Sequence, residues 1–369
     1  EVMRVDAGFD PSVLTVRLSL PRKDYGDLAK VSQFYRQLEA RVAALPGVTS
    51  VAAVNQVPLN GALASAEYKV ADRPPASDDN LPTAQYRLVT PEYFKTMGIP
   101  VIAGRAFTDD DREGGAPVVI VSRALARQSF PDRDPVGRYL LLRDTPAGVR
   151  AMQIVGVAGD VRHTSLESEA EPHVYLPYHQ THRDLLVWLT NNQFLLVRTA
   201  GPPLASSEAV RRELQAVDST VAAADIRASG YYLDNATAGR RFSLELLAGF
   251  AVLALAMAAI GIYGVVSYTV AQRTREIGVR LALGADMGNI ARMVVGEGVR
   301  RTAVGVAIGL AGALAASRAV RGMLYGVAAT DPVTYAAVIA LLVAVTVAAS
   351  LLPAWRASHV SPLAALRED

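Results

Sequence analysis

Three long apolar stretches crowd the last 130 residues, and they constrain the fold more than any other feature. Phe242–Tyr268 is 27 residues with one acid, Glu245, near its start. Thr302–Ser317 is 16 uncharged residues, and the apolar character resumes around Arg318 and Arg321 as far as Val327. Val333–Pro353 is 21 residues without a charge. A hydrocarbon core about 30 Å thick needs about 20 helical residues to cross it. The first and third stretches meet that length outright, and the second does so if its arginines snorkel to an interface. The expected C-terminal unit, 240–369, is therefore an all-α membrane domain of three transmembrane helices, about 242–268, 302–325 and 333–353. Small residues recur along them, including a Gly305–Gly309 GxxxG pair, and let helices pack closely in lipid.

The remaining sequence has a different character. Residues 1–239 carry a net charge of −3, residues 240–369 one of +5, and all four lysines lie in the first part. A nucleic-acid binder would show a basic face, and the large first part has none. The chain holds no cysteine, which excludes disulfides, cysteine zinc sites, iron–sulfur clusters and thiol nucleophiles. Basic residues gather in the connector 271–301 (Arg273, Arg275, Arg280, Arg292, Arg300, Arg301) and in the tail (Arg356, His359, Arg367). With three crossings both segments fall on one side, and the excess of arginine assigns that side to the cytoplasm. Residues 1–239 are then periplasmic.

The outside domain reads as alternating strands and helices. Val13–Leu20 has strand alternation, Asp24–Leu45 has helical spacing through Leu28, Val31, Phe34, Tyr35, Leu38 and Val42, and Val48–Val54 is again a strand. Phe194–Thr199, Ser206–Val217 and Val221–Arg227 repeat the pattern. The expected fold is an α+β extracytoplasmic domain: two βαβ-like units, about 13–54 and 194–227, with an inserted subdomain at about 60–190. Inside the insertion, strands are expected at Gln85–Val89, Val118–Val121 and Gln153–Val157. Short helices are expected at Tyr93–Met97 and Arg123–Phe130. Turn signals lie at Pro74-Pro75, Asp78-Asp79-Asn80 and Gly114-Gly115.

Catalytic patterns are weak. Asp160, His163 and Ser165 match no triad spacing, and a polar turn after a strand accounts for them better. His163, His173, His179 and His182 match no zinc signature. Asp109-Asp110-Asp111 lacks the later positions of a calcium loop and reads as a helix start or solvated loop. No lysine follows a glycine, so a Walker A motif is absent and any nucleotide hydrolysis belongs to another subunit.

The informative segment is Thr269–Arg301. Glu276 and Arg280 are i,i+4 partners in the favourable order, Ile277 and Leu281 form an apolar stripe, Gly284 can end a helix and Asp286 can cap the next. The pattern predicts an amphipathic cytoplasmic elbow at 271–301 between two membrane helices. It serves either as an ordinary positive-inside loop or as a docking element that receives force from a soluble partner.

Gly261–Ala285 (GIYGVVSYTVAQRTREIGVRLALGA), followed by Leu352–Arg367 (LPAWRASHVSPLAALR), resembles the MacB/FtsX family of ABC-transporter permeases. Val89–Phe107 (VTPEYFKTMGIPVIAGRAF) and Val118–Pro131 (VVIVSRALARQSFP) resemble that family's periplasmic core domain. The likeness covers essentially the whole chain and is nearest to the duplicated, acidobacterial-type permeases, whose genes often lack an adjacent ATPase. Such a unit has four membrane helices, one ahead of the periplasmic domain. The resemblance implies that this first helix ends just ahead of Glu1, in a longer protein of which the present sequence is a part. The resemblance implies mechanotransmission in the bacterial inner membrane: a separate cytoplasmic ABC ATPase closes, the membrane helices move and the periplasmic domain rearranges. Arg275, Glu276, Gly278, Arg280, Leu283, Gly284 and Ala285 would form the ATPase-facing elbow, with coupling rather than catalysis as their role. The implied permease is non-catalytic, with no cofactor and no metal. Its implied partners are the ATPase, a second permease unit or duplicated half, a periplasmic adaptor or substrate, and membrane lipid. Its function would be export of a drug, peptide or lipoprotein. The alternatives are a scaffold that regulates a periplasmic cell-wall hydrolase and a membrane-anchored hydrolase using Asp160 and His163.

Overall fold

A computed structural model gives the structure of residues 6–61, 64–72, 81–145, 148–166, 168–182, 190, 193–283, 286–320 and 332–358. The turn signals at 74–75 and 78–80, and the tail from 359 on, lie outside the described residues. The chain divides into two compact units, Glu1–Gly239 and Arg240–Asp369.

In the first unit, β1 (Leu14–Ser19), α1 (Leu28–Ala43) and β2 (Val48–Val54) form one unit. Asp27 caps α1 by accepting from the Ala29 amide at 3.1 Å. The periodic residues Val31, Phe34, Tyr35, Leu38 and Val42 are all buried. Near the far end of the domain, β10 (Gln193–Thr199), α4 (Ser207–Val217) and β11 (Ala222–Ala228) form the second. The two units interleave. β10 inserts between β1 and β2, antiparallel to both, and β11 pairs with the other edge of β1. The order β11-β1-β10-β2 is a split βαβ arrangement, in which neither unit pairs its own two strands directly. The helices of both units meet through Arg41–Glu213, 2.7 Å apart, and Tyr25 donates to Asp218 at 2.6 Å.

The inserted subdomain continues the same sheet. It contains β3 (Ser65–Val70), β4 (Thr83–Val89), α2 (Tyr93–Met97), β5 (Val101–Gly104), β6 (Val118–Ser122), α3 (Arg123–Ser129), β7 (Tyr139–Thr145), β8 (Gly148–Ala158) and β9 (His173–Pro177). The strand path β4-β3-β7-β8-β6-β9 closes on itself, because β9 pairs in parallel with β4 from Gln85↔His173 to Val89↔Pro177. Closure removes two free edges. Strand alternation sends Tyr86 and Leu88 into one apolar cluster with Leu140, Met152 and Val174. It sends Val89 into a second cluster with Tyr93, Phe94, Ile120 and Tyr175.

The second unit holds α5 (Gly230–Gln272, which begins in the first unit), α6 (Thr274–Ala282), α7 (Met287–Val320) and α8 (Pro332–Ser358). Three of these are long and apolar enough to cross a membrane, the apolar parts of the last two being Arg292–Ala315 and Tyr335–Pro353. The helix that carries the second apolar span begins at Met287, just after Asp286, so the connector 271–301 holds α6, a short turn and the first turns of α7. Nothing between 287 and 320 breaks a helix: its glycines weaken the helix but keep its hydrogen bonds, and there is no proline. Pro353 lies inside α8, where it removes one backbone hydrogen bond. Thr302 and Thr346 face each other across α7 and α8 with their hydroxyls 3.1 Å apart.

Candidate functional site

The site is the junction of α5, α6 and α7. The α5 helix ends at Gln272, whose side-chain amide donates to the Tyr268 hydroxyl one turn back at 2.8 Å. The chain turns at Arg273 and re-enters helix at Thr274. On α6, Ile277 points inward and is almost wholly buried. It packs with Val266 of α5 and Val294 of α7, flanked by Ile262, Val270 and Val295. Among the described side chains of this nine-residue helix, Ile277 is the buried one, and it seats the helix against the ends of two membrane helices.

Charge pairs surround this contact. Glu297 of α7 accepts from Arg273 at 3.2 Å and from Arg301 at 2.9 Å. Arg301 also donates to the Thr269 hydroxyl on α5 at 3.3 Å. Arg280 donates to Glu276 at 2.6 Å, and its other terminal nitrogen meets the Met293 sulfur of α7 at 3.3 Å. These pairs are about half exposed, so each contributes little to stability and serves mainly to fix orientation.

The outward face of α6 carries Arg275, Glu276, Val279 and Arg280, all exposed, and Leu283 just beyond it at 84% exposure. Gly278 lies within the helix. Gly284 and Ala285 lie outside the described residues. The structure therefore gathers Arg275, Glu276, Arg280 and Leu283 on one short helix and its end. It adds Arg273, Glu297 and Arg301, which sequence spacing did not single out. Glu297 and Arg301 were findable as a second i,i+4 pair on the same segment. Above the junction, the three membrane helices leave a groove of about 850 Å³, lined largely by small and aliphatic residues such as Gly261, Gly305, Gly309 and Leu342.

The other candidates separate. Asp160 accepts from the Ala124 amide at 2.7 Å and from Arg127 at 3.0 Å, which anchors the start of α3. No hydrogen bond among the described residues joins it to His163. His163 is buried and stacks on His173 with ring centres 4.1 Å apart. His179 is on a short turn after β9, and no cluster of three or more possible metal ligands occurs among the described residues. Asp111 is not a solvated end of its acidic run. It is buried and takes a bidentate bond from Arg105 at 2.7 and 2.8 Å, with the Thr108 amide at 2.9 Å, and these donors hold its carboxyl below the usual range against the opposing effect of burial.

The MacB-like periplasmic core domain family matches residues 8–217, and the FtsX-like permease C-terminal family matches residues 248–362. The chain belongs to the MacB/FtsX family of ABC permeases. Its membrane helices and periplasmic domain are those of a multi-pass inner-membrane permease. Among curated relatives of MacB/FtsX type, it is 26% identical over 333 residues to the pyoverdine export ATP-binding/permease protein PvdT of Pseudomonas syringae pv. syringae, covering 89% of this chain and 48% of that one. It is 29% identical over 216 residues to the macrolide export ATP-binding/permease protein MacB of Azoarcus sp., covering 58% and 32%. The chain thus spans less than half the length of these relatives. Among solved structures, the periplasmic region of MacB from Actinobacillus actinomycetemcomitans aligns with a TM-score of 0.41 at 13% identity, covering 63% of this chain and 96% of that one.

Proposed function

We propose that this permease couples ATP hydrolysis in a separate cytoplasmic ATPase to rearrangement of its periplasmic domain, and that α6 with its flanking turn is the receiving element. The observation that carries this reading is the construction of α6. It is a short helix seated by the buried Ile277 against two membrane helices, with a charged face left exposed. Force applied to that face would act on α5 and α7 together. Arg275, Glu276, Gly278, Arg280, Leu283, Gly284 and Ala285 are the residues assigned to contact the ATPase. The groove among the helices is lined largely by small and aliphatic residues, with Arg301, Thr302, Tyr335 and Thr346 as its polar members, which favours transmitted motion over passage of a polar substrate between them. The curated relatives described above are named for export of pyoverdine and of macrolides. Export of a drug, peptide or lipoprotein is the activity we propose, with a second permease unit and a periplasmic adaptor or substrate as proposed partners.

The test is charge reversal. Glu276→Arg combined with Arg280→Glu keeps the ion pair and inverts the face presented outward. Stimulated ATPase turnover of the reconstituted complex should fall while membrane insertion is unchanged. Normal stimulated turnover in the double variant would defeat the assignment.

A further inference from the structure

The core of the inserted subdomain contains a charge without an ion-pair partner among the described residues. Arg87, on β4, is 1% exposed. Its Nη1 donates to the Tyr86 carbonyl at 2.8 Å and its buried Nε has no partner. No carboxylate among the described residues forms an ion pair with it. Glu171, the acid near enough to act on it, has its carboxylate engaged by the Thr164 hydroxyl at 2.9 Å. A guanidinium stays charged in a protein, and a buried charge demands a partner.

The surroundings of Arg87 are equally unsatisfied. It pairs across the β4–β9 junction with Tyr175, and His173 sits two residues away along the same face of β9. His163 stacks on His173, and its Nε2 lies 3.4 Å from the Tyr175 hydroxyl. Tyr93 of α2 covers the cluster with its ring centre 5.9 Å from that of Tyr175. The His163 Nδ1, the His173 Nε2 and the Tyr93 hydroxyl are all buried without a partner. His173 donates through Nδ1 to the Glu171 carbonyl at 2.8 Å, so its neutral ring presents a bare lone pair at Nε2. Burial, and then the Arg87 charge, hold His173 down to about 3; burial, His173 and Arg87 likewise depress His163. Asp160, at the end of β8, is the further acid that acts on this cluster, through Tyr175.

We propose that Arg87, His163, His173 and Tyr93 form an enclosed site for a small monovalent anion of the chloride class, taken up together with a proton on the histidine pair. The anion supplies the charge that Arg87 lacks and accepts from its Nε and from the Tyr93 hydroxyl. Protonation turns a histidine lone pair from a repulsive contact into a donor. All four residues are buried, which favours a ligand of halide size over a larger anion. The site spans the β4–β9 pairing that closes the six-stranded ring, so occupancy tightens that closure. By linkage, chloride binds more tightly as pH falls, and chloride raises the pH at which the histidines protonate.

The experiment is urea denaturation of the full chain in detergent, at pH 5 and pH 7, in chloride, gluconate or sulfate at equal ionic strength. The expected result is a midpoint that rises with chloride and saturates, with a larger shift at pH 5, while sulfate behaves as gluconate does. Arg87→Met should abolish the chloride dependence. If that variant does not fold, His163→Phe should remove the pH dependence of the chloride shift, and bromide in crystals should give anomalous density within hydrogen-bond distance of the Arg87 Nε. Equal midpoints in chloride and gluconate at both pH values would overturn the proposal and assign the cluster to ordered water. So would a chloride shift retained in Arg87→Met, or a bromide-soaked crystal with no density at Arg87.

Discussion

Ile277→Ala isolates the contact that seats α6. Ile277 is 1% exposed and, among the described residues, its buried cluster neighbours are Val266 and Val294, so the cavity left behind has few described side chains to collapse into it. Truncating a buried isoleucine to alanine costs about 2–4 kcal/mol in such a setting. The half-exposed ion pairs that remain each supply about 0.2–1 kcal/mol and do not replace it. If the cost falls on the docking of α6, the ratio of docked to undocked helix drops roughly 30- to 700-fold. Hydrogen exchange reads this directly, because local opening sets the protection of the amides within α6. Protection there should collapse by that factor, while β10, deep in the first unit, keeps its own. Val279→Ala, on the same helix but 42% exposed, is the control and should change protection less than about threefold. Equal loss in both variants, or unchanged α6 protection in Ile277→Ala, would refute the claim that one side chain holds the elbow.

Other consequences follow from the structure. His173 has its folded-state pKa depressed to about 3, so its contribution is complete above the unfolded value near 6.5 and is lost as pH falls toward 3. Between pH 7 and pH 5 the first unit should lose about 2 kcal/mol from this group, measured by urea denaturation in gluconate, and His173→Leu should flatten the slope. A slope unchanged in the variant would place the titration elsewhere. Gly104 sits at φ +70°, and a Cβ there would lie 2.2 Å from the Val155 carbonyl oxygen, so Gly104→Ala should destabilise the first unit by at least ~2 kcal/mol and loosen β5 from β8. A thermal midpoint equal to wild type would contradict that backbone geometry. Glu297→Gln removes the shared partner of Arg273 and Arg301, yet should cost no more than about 1 kcal/mol per pair, seen as a small shift in the detergent melting curve. A loss several times larger would show that the pair network bears more of the junction than its exposure implies.

The parts of this fold legible in the sequence are those with a local period. Val31, Phe34, Leu38 and Val42 announce α1 by spacing, and each is buried. The three apolar spans announce themselves by length. The interleaving of β10 between β1 and β2 is not legible, because it joins segments some 140 to 180 residues apart and leaves no local mark. Arg87 misleads for a related reason. Nothing local in the strand announces that Arg87 is buried, because the pairing that covers it comes from β9, some 85 residues on. Asp111 sits in an acidic run that reads as solvated, and the arginine that binds it lies six residues back in an irregular loop. At the elbow, the Glu276–Arg280 pair follows from helical spacing alone, whereas the Arg273–Glu297 contact requires the fold-back of α6 onto α7.

The central claim is that the exposed face of α6 meets an ATPase, and site-directed cross-linking tests it most directly. The protein has no cysteine, so single cysteines can be placed without background. Arg275→Cys and Leu283→Cys on the elbow, and Asp110→Cys in the first unit, would each be cross-linked in native membranes before affinity isolation. The account predicts an ATPase cross-linked at 275 and 283, absent at 110, with ATP hydrolysis in the isolated complex. An ATPase cross-linked at 110 as readily as at the elbow, or an ATPase that co-purifies without ever cross-linking to 275 or 283, would contradict it.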